Sequence, residues 1–179
     1  FNVAITGGAA LAYDELKSVS DGTKTSGLLA LLFVLIVLFL AFKSISLIFA
    51  IFANLLAGLM LTATYATLAV GTLNMISIAF AVLYIGLAVD FAIHICMMYQ
   101  ENCSEKEQKQ AIEKAIVKLR KSLIFCTLTT SIGFFSFIPT DYQGVAELGL
   151  ISGVGMFLSL ILSFTFLPSL LSIFPKPNI

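Results

Sequence analysis

The run TSGLLALLFVLIVLFLAF, Thr25 to Phe42, decides the class of fold. It holds no charged residue and is about the length a helix needs to cross a hydrocarbon core of ~30 Å. Lys43 ends it, and after Ser44-Ile45-Ser46 the chain turns apolar again from Leu47 to about Val70, interrupted only by Asn54 and a few Thr and Gly residues. Gly71-Thr72-Leu73-Asn74 reads as a tight turn. Further apolar spans follow at Met75 to Tyr99, about Ser122 to Ile138 ahead of Pro139, and Ala146 to about Ile173. The expected architecture is an all-α membrane protein of five crossings.

Composition agrees. Of 179 residues, 59% are hydrophobic and 11% charged, against roughly 45–50% and about 25% in soluble domains. A water-soluble enzyme is excluded on that ground. Ten basic residues cancel ten acidic ones, so no nucleic-acid footprint is present. The 16 Phe residues and the absence of Trp suit lipid-facing helices more than a binding cleft. The chain starts with Phe and carries no basic n-region before an h-region, which reads as an internal piece of a longer protein. Cys96, Cys103 and Cys126 show no CxxC pair and are expected as free thiols. On the orientation below they sit at or near the cytoplasmic face, where thiols stay reduced.

Orientation follows from Lys and Arg, which concentrate in loops that stay in the cytoplasm. With the N-terminal side outside, the inner segments hold Lys43, Lys106, Lys109, Lys114, Lys118, Arg120, Lys121 and Lys176, and the outer side keeps Lys17 and Lys24. The expected location is the inner membrane, multi-pass, with residues 176–179 cytoplasmic.

Residues 1–24 form a lead-in. Phe1-Asn-Val-Ala-Ile5 reads as a strand remnant, Gly7-Gly8 as a break, and the stretch from Ala10 to Leu16 as the start of a helix feeding the first crossing, together fitting the tail of an extracytoplasmic domain. The inner segment about 104–120 reads as an amphipathic helix on the membrane surface. Ser104 and Glu107 have capping-box spacing, Glu105 and Lys109 form an i,i+4 pair, and Ile112, Ala115, Ile116 and Leu119 share one face.

Asp90 is the carboxylate well inside the spans, about nine residues or 13 Å from the inner end of its helix at helical rise. An ionised Asp at a helix centre costs roughly 2.5–3.5 kcal/mol on insertion scales. Such a group is neutral when sealed from water and ionised when a wet path or a cation reaches it, which is what a proton carrier needs. His94 lies one turn on along the same face and can relay a proton. Gly86, one turn earlier, removes a side chain and admits another helix. Thr127, Thr129, Thr130 and Ser131 on the next span are candidate hydrogen-bonding partners. The plainer alternative is a neutral Asp acting as packing glue, and for His94 a satisfied interfacial histidine. Asp90 and His94 supply two metal ligands and no third, so no metal or other cofactor is expected.

Weaker features accompany these. Gly149-x-x-x-Gly153 with Ser152, Gly155, Ser159 and Ser163 reads as close helix packing, and Pro168 as shaping the helix exit. Asn54 and Glu147 are candidate markers of a proton entry route.

The unit Gly86-x-x-x-Asp90-Phe91-x-x-His94 resembles the GxxxD motif on the fourth transmembrane helix of RND superfamily permeases, in the MMPL-like and hopanoid-transporter-like branch. Glu147-Leu-Gly-Leu-Ile-Ser-Gly-Val-Gly-Met156 running to Leu167-Pro-Ser-Leu-Leu171 looks like the sixth helix. Ile5-Thr-Gly-Gly-Ala-Ala-Leu-Ala12 with Asp14-Glu-Leu16 resembles the join between periplasmic domain and second helix. The resemblance implies helices two to six of one half of a twelve-helix permease. It also implies proton-driven export of lipids or other hydrophobic molecules, with Asp90 in the proton-carrying position. Partners implied are membrane lipids, a hydrophobic cargo, the second six-helix half of the same transporter and a candidate homo-oligomer. Two departures stand out: Phe91 where many members have Tyr, and His94 where some members have no His. A second functional reading is a sterol-sensing-type lipid-binding module without proton flux. An intramembrane aspartyl protease needs two intramembrane aspartates, and Asp90 has no second.

Overall fold

A computed structural model describes residues 8–42, 44–71, 79–103 and 107–174. Among these described residues five helices follow in order: α1 Gly8–Ala41, α2 Ile45–Ala69, α3 Phe80–Cys103, α4 Gln108–Phe135 and α5 Gln143–Ile173. The all-helical build agrees with the apolar runs. In lipid each backbone N–H and C=O must be satisfied within its own segment, which a helix does. Helices α2, α3 and α5 are each long and apolar enough to cross a membrane, and Thr25–Ala41 within α1 is a shorter apolar stretch.

The lead-in helix expected to feed the first crossing runs on into it as α1. One boundary differs from the sequence expectation. The amphipathic segment and the fourth apolar run are one helix, since α4 continues from Gln108 through Ser122 to Phe135. The reason is local. No Gly or Pro occurs between Gln108 and Ile132, and Lys, Leu and Arg at 118–121 are good helix formers, so nothing stops the helix where its polarity changes. The N-cap of α4 is Glu107, extended and without a side-chain cap bond. Ser104 and Glu105, the expected capping and pairing residues, lie outside the described residues, as do the strand expected at 1–5 and Thr72–Asn74 of the expected turn. Gly71 is described: its positive φ of 80° ends α2 in the left-handed conformation that glycine adopts without a Cβ penalty.

Helix α3 sits at the centre, touching all four others, while α1, among the described residues, touches only α2 and α3. One apolar cluster joins Leu38, Leu47, Ile51, Ile95, Tyr99, Ala115, Leu123, Met156 and Leu167. A smaller one around Leu55, Ala66, Tyr84, Ala88 and Ile151 lies toward the other end of the bundle. Lipid is as apolar as Leu, so close van der Waals contact and hydrogen bonds hold such helices together. Helix α5 supplies the close approach. A Cβ on Gly149 would overlap the Phe134 carbonyl oxygen of α4, and one on Gly153 the Phe135 ring. Ser131 Oγ donates to the Gly153 carbonyl across the same seam at 3.0 Å. Against α2, a Cβ on Gly155 would stand 2.9 Å from Thr62 Cγ2. Gly58 of α2 leaves room for the Tyr84 hydroxyl of α3.

Pro168 lies inside α5, which nevertheless continues to Ile173. The end of α5 is held from outside: Gln108 Nε2 donates to the carbonyls of Leu171 at 2.6 Å and Phe174 at 2.8 Å. Helix-end carbonyls that lack intrahelical partners are thereby satisfied.

Candidate functional site

Although α3 is central, one of its stripes is bare. Leu83, Gly86, Asp90, His94, Met97 and Glu101 are all exposed, while Tyr84, Ile85, Ala88, Val89, Phe91, Ala92, Ile95 and Cys96 are buried. Spacings of three and four residues line the exposed set along one edge of the helix, the pattern of a seam that receives a neighbouring helix. Gly86 has no heavy atom within 4 Å of a Cβ built on it. The close approach expected at Gly86 is therefore not made by any described helix of this chain.

Asp90 borders a cavity on each side. One, of about 180 Å³, lies between α3 and α4 and is lined by Asp90 and His94 together with Ser122, Cys126 and Thr130. The other, of about 250 Å³, lies between α3 and α1, where Phe33, Val34 and Val37 face Gly86 and Asp90. No Lys or Arg among the described residues lines either space. Asp90 makes no hydrogen bond or ion pair within the described residues.

The structure thus brings together Asp90, His94 and Thr130 of the expected set, with Gly86 on the second cavity. It separates the rest. Thr127 is fully buried, donates to the Leu123 carbonyl of its own helix at 2.9 Å, and is absent from the cavity. Thr129 likewise bonds back to Phe125 and Cys126, and Ser131 is committed to Gly153. Asn54 is far from this face: it lies buried between α2 and α5, its Nδ2 3.4 Å from Ser163 Oγ. Its Oδ1, like the hydroxyl of Ser152, is buried without a hydrogen-bond partner among the described residues. Glu147, also buried, accepts from Gln143 Nε2 at 3.1 Å at the start of α5.

Sequence reasoning missed Ser122 and Cys126. A signal was available, because Ser122, Cys126 and Thr130 recur every four residues and so share a stripe of α4. Among the described residues no group of three His, Cys, Asp or Glu side chains is placed to hold a metal ion. Cys96 and Cys103 are buried free thiols and Cys126 an exposed one.

The family model described as "MMPL family" matches residues 1–177. The chain belongs to the MMPL family. Two relatives carry the name hopanoid transporter HpnN. The one from Burkholderia multivorans is 44% identical over 180 residues, covering 98% of this chain and 20% of the relative. The one from Rhodopseudomonas palustris is 39% identical over 175 residues, covering 96% of this chain and again 20% of the relative. This MMPL chain therefore spans about a fifth of the length of either transporter. Both of these relatives are transporters by name, and the apolar helices give this chain the character of a membrane protein.

Proposed function

We propose that this chain is the helical core of one half of a lipid exporter driven by the proton gradient across the inner membrane, with Asp90 as the proton carrier. The carrying observation is the position of Asp90. It stands on the bare stripe of α3, between two cavities, next to the empty space at Gly86. A carboxylate left in hydrocarbon without a partner neutralises itself or recruits a cation. With no Lys or Arg lining its cavities within the described residues, Asp90 is protonated when the stripe is closed by a dry helix and ionised when water or a cation comes to it. The second half of the transporter, in the remaining four-fifths of the relatives' length, is the proposed source of the helix that lies on the stripe.

His94, one turn along on the same cavity, passes the proton toward the end of the bundle rich in Lys and Arg, which this reading places in the cytoplasm. Thr130 and Ser122 give the cavity hydroxyls on which water can hydrogen-bond. One charge moving through ~100 mV yields about 2.3 kcal/mol, enough to bias one helix bundle rocking against the other. The relatives' names point to a polycyclic lipid as cargo.

The test is Asp90→Asn in the full-length protein, reconstituted in vesicles with an imposed pH gradient. Expected are normal expression, loss of gradient-dependent lipid export, and loss of the coupled proton flux. Export that continues at the wild-type rate would sink the proposal and return the chain to the reading as a lipid-sensing module.

A further inference from the structure

Away from Asp90, a cavity of about 600 Å³ opens where the amphipathic first half of α4 runs beside the end of α5. Ile112, Ile116 and Val117 of α4 and Pro168 of α5 form its apolar wall, with Lys109 and Glu113 at the rim. Its size lies within the ~300–1,000 Å³ of small-molecule sites. The wall is rigid at one end, because Gln108, which also lines the space, is held by two carbonyls of the α5 terminus.

We propose that this cavity binds one bilayer phospholipid whose headgroup carries both a phosphate and a primary ammonium, as in phosphatidylethanolamine. The rim is what selects it. Lys109 and Glu113 are exposed, one helical turn apart, and form no ion pair or hydrogen bond among the described residues. The order Lys then Glu is the less favourable one for pairing along a helix. A phosphate meets Lys109, an ammonium meets Glu113, and an acyl chain lies over Ile112, Ile116 and Pro168. A purely anionic headgroup would leave Glu113 facing like charge. A quaternary choline would give it no N–H donor. The site is separate from Asp90 and needs no proton flux.

The experiment uses the full-length transporter in detergent, exchanged into defined lipid and read by native mass spectrometry for retained lipid. Dioleoyl phosphatidylethanolamine, phosphatidylglycerol and phosphatidylcholine are compared. The wild type is expected to retain phosphatidylethanolamine over the other two. Lys109→Gln and Glu113→Gln, both surface changes that leave the wall intact, should each lower that retention about tenfold, the equivalent of one charge-assisted hydrogen bond. Ile116→Trp, which fills the cavity, should remove the adduct. Equal retention of the three lipids, or an adduct unchanged in both Gln variants, overturns the proposal. So does a cross-link from Val117→Cys that reports a protein segment seated in the cavity.

Discussion

Gly149→Ala tests whether the α4–α5 contact is set by backbone proximity. An alanine Cβ there overlaps the Phe134 carbonyl oxygen and stands 2.9 Å from Phe137 Cβ. The carbonyl is backbone and cannot swing away, so the two helices must separate. Overpacking of this kind costs about 1–3 kcal/mol. Set against it is the intrinsic gain of Ala over Gly in a helix interior, ~0.8–1.0 kcal/mol. The net effect is a loss of about 0–2 kcal/mol. Gly133→Ala is the control: Gly133 also lies within a helix, but nothing stands within 4 Å of its Cβ position. That variant keeps the propensity gain without the clash. The difference between the two, about 1–3 kcal/mol, isolates the steric contribution. Equilibrium unfolding of the full-length protein in mixed micelles measures it. Equal stability of Gly149→Ala and Gly133→Ala would refute the account of α5 as a close-packing helix.

Two further outcomes follow from polar groups inside the bundle. Ser163→Ala strips Asn54 of its amide partner and is expected to destabilise by about 1–2 kcal/mol. Asn54→Leu combined with Ser163→Ala removes both partners and should recover most of that loss in the same unfolding experiment; a double variant as unstable as the single would contradict it. Cys126, exposed on the Asp90 cavity, should react with a small charged methanethiosulfonate reagent in the full-length protein, whereas the fully buried Cys96 should not. Reaction at Cys96 first, read by peptide mass mapping, would mean that α3 is packed differently.

Much of this was legible from the chain alone, for physical reasons. Apolar runs long enough to span lipid leave few alternatives to helices, and a lone carboxylate such as Asp90 within one is costly enough to be noticed. The extent of α4 was harder. The change from an amphipathic to an apolar pattern near Ser122 resembles the end of one element and the start of another. Polarity reports the surroundings of a helix, whereas continuity depends on the absence of Gly and Pro. The threonines illustrate a second limit. Thr127, Thr129 and Thr130 are near neighbours in sequence, yet 100° per residue sends them to different sides, and only Thr130 reaches the Asp90 cavity. Choosing among them requires the rotation of α4 about its axis, which its packing against α3 and α5 sets. The pairing of Asn54 with Ser163 is a contact between distant segments that neither local pattern announces.

The unbroken course of α4 has a mechanical consequence. Its first half walls the 600 Å³ cavity, and its second half walls the space beside Asp90. From Glu113 to Thr130 the helix rises about 26 Å. A rod of that length has no joint in which to lose a displacement: pivoting it by ~5° about one end moves the other by about 2 Å. Whatever leans on the charged end of α4 therefore also trims or widens the chamber around Asp90.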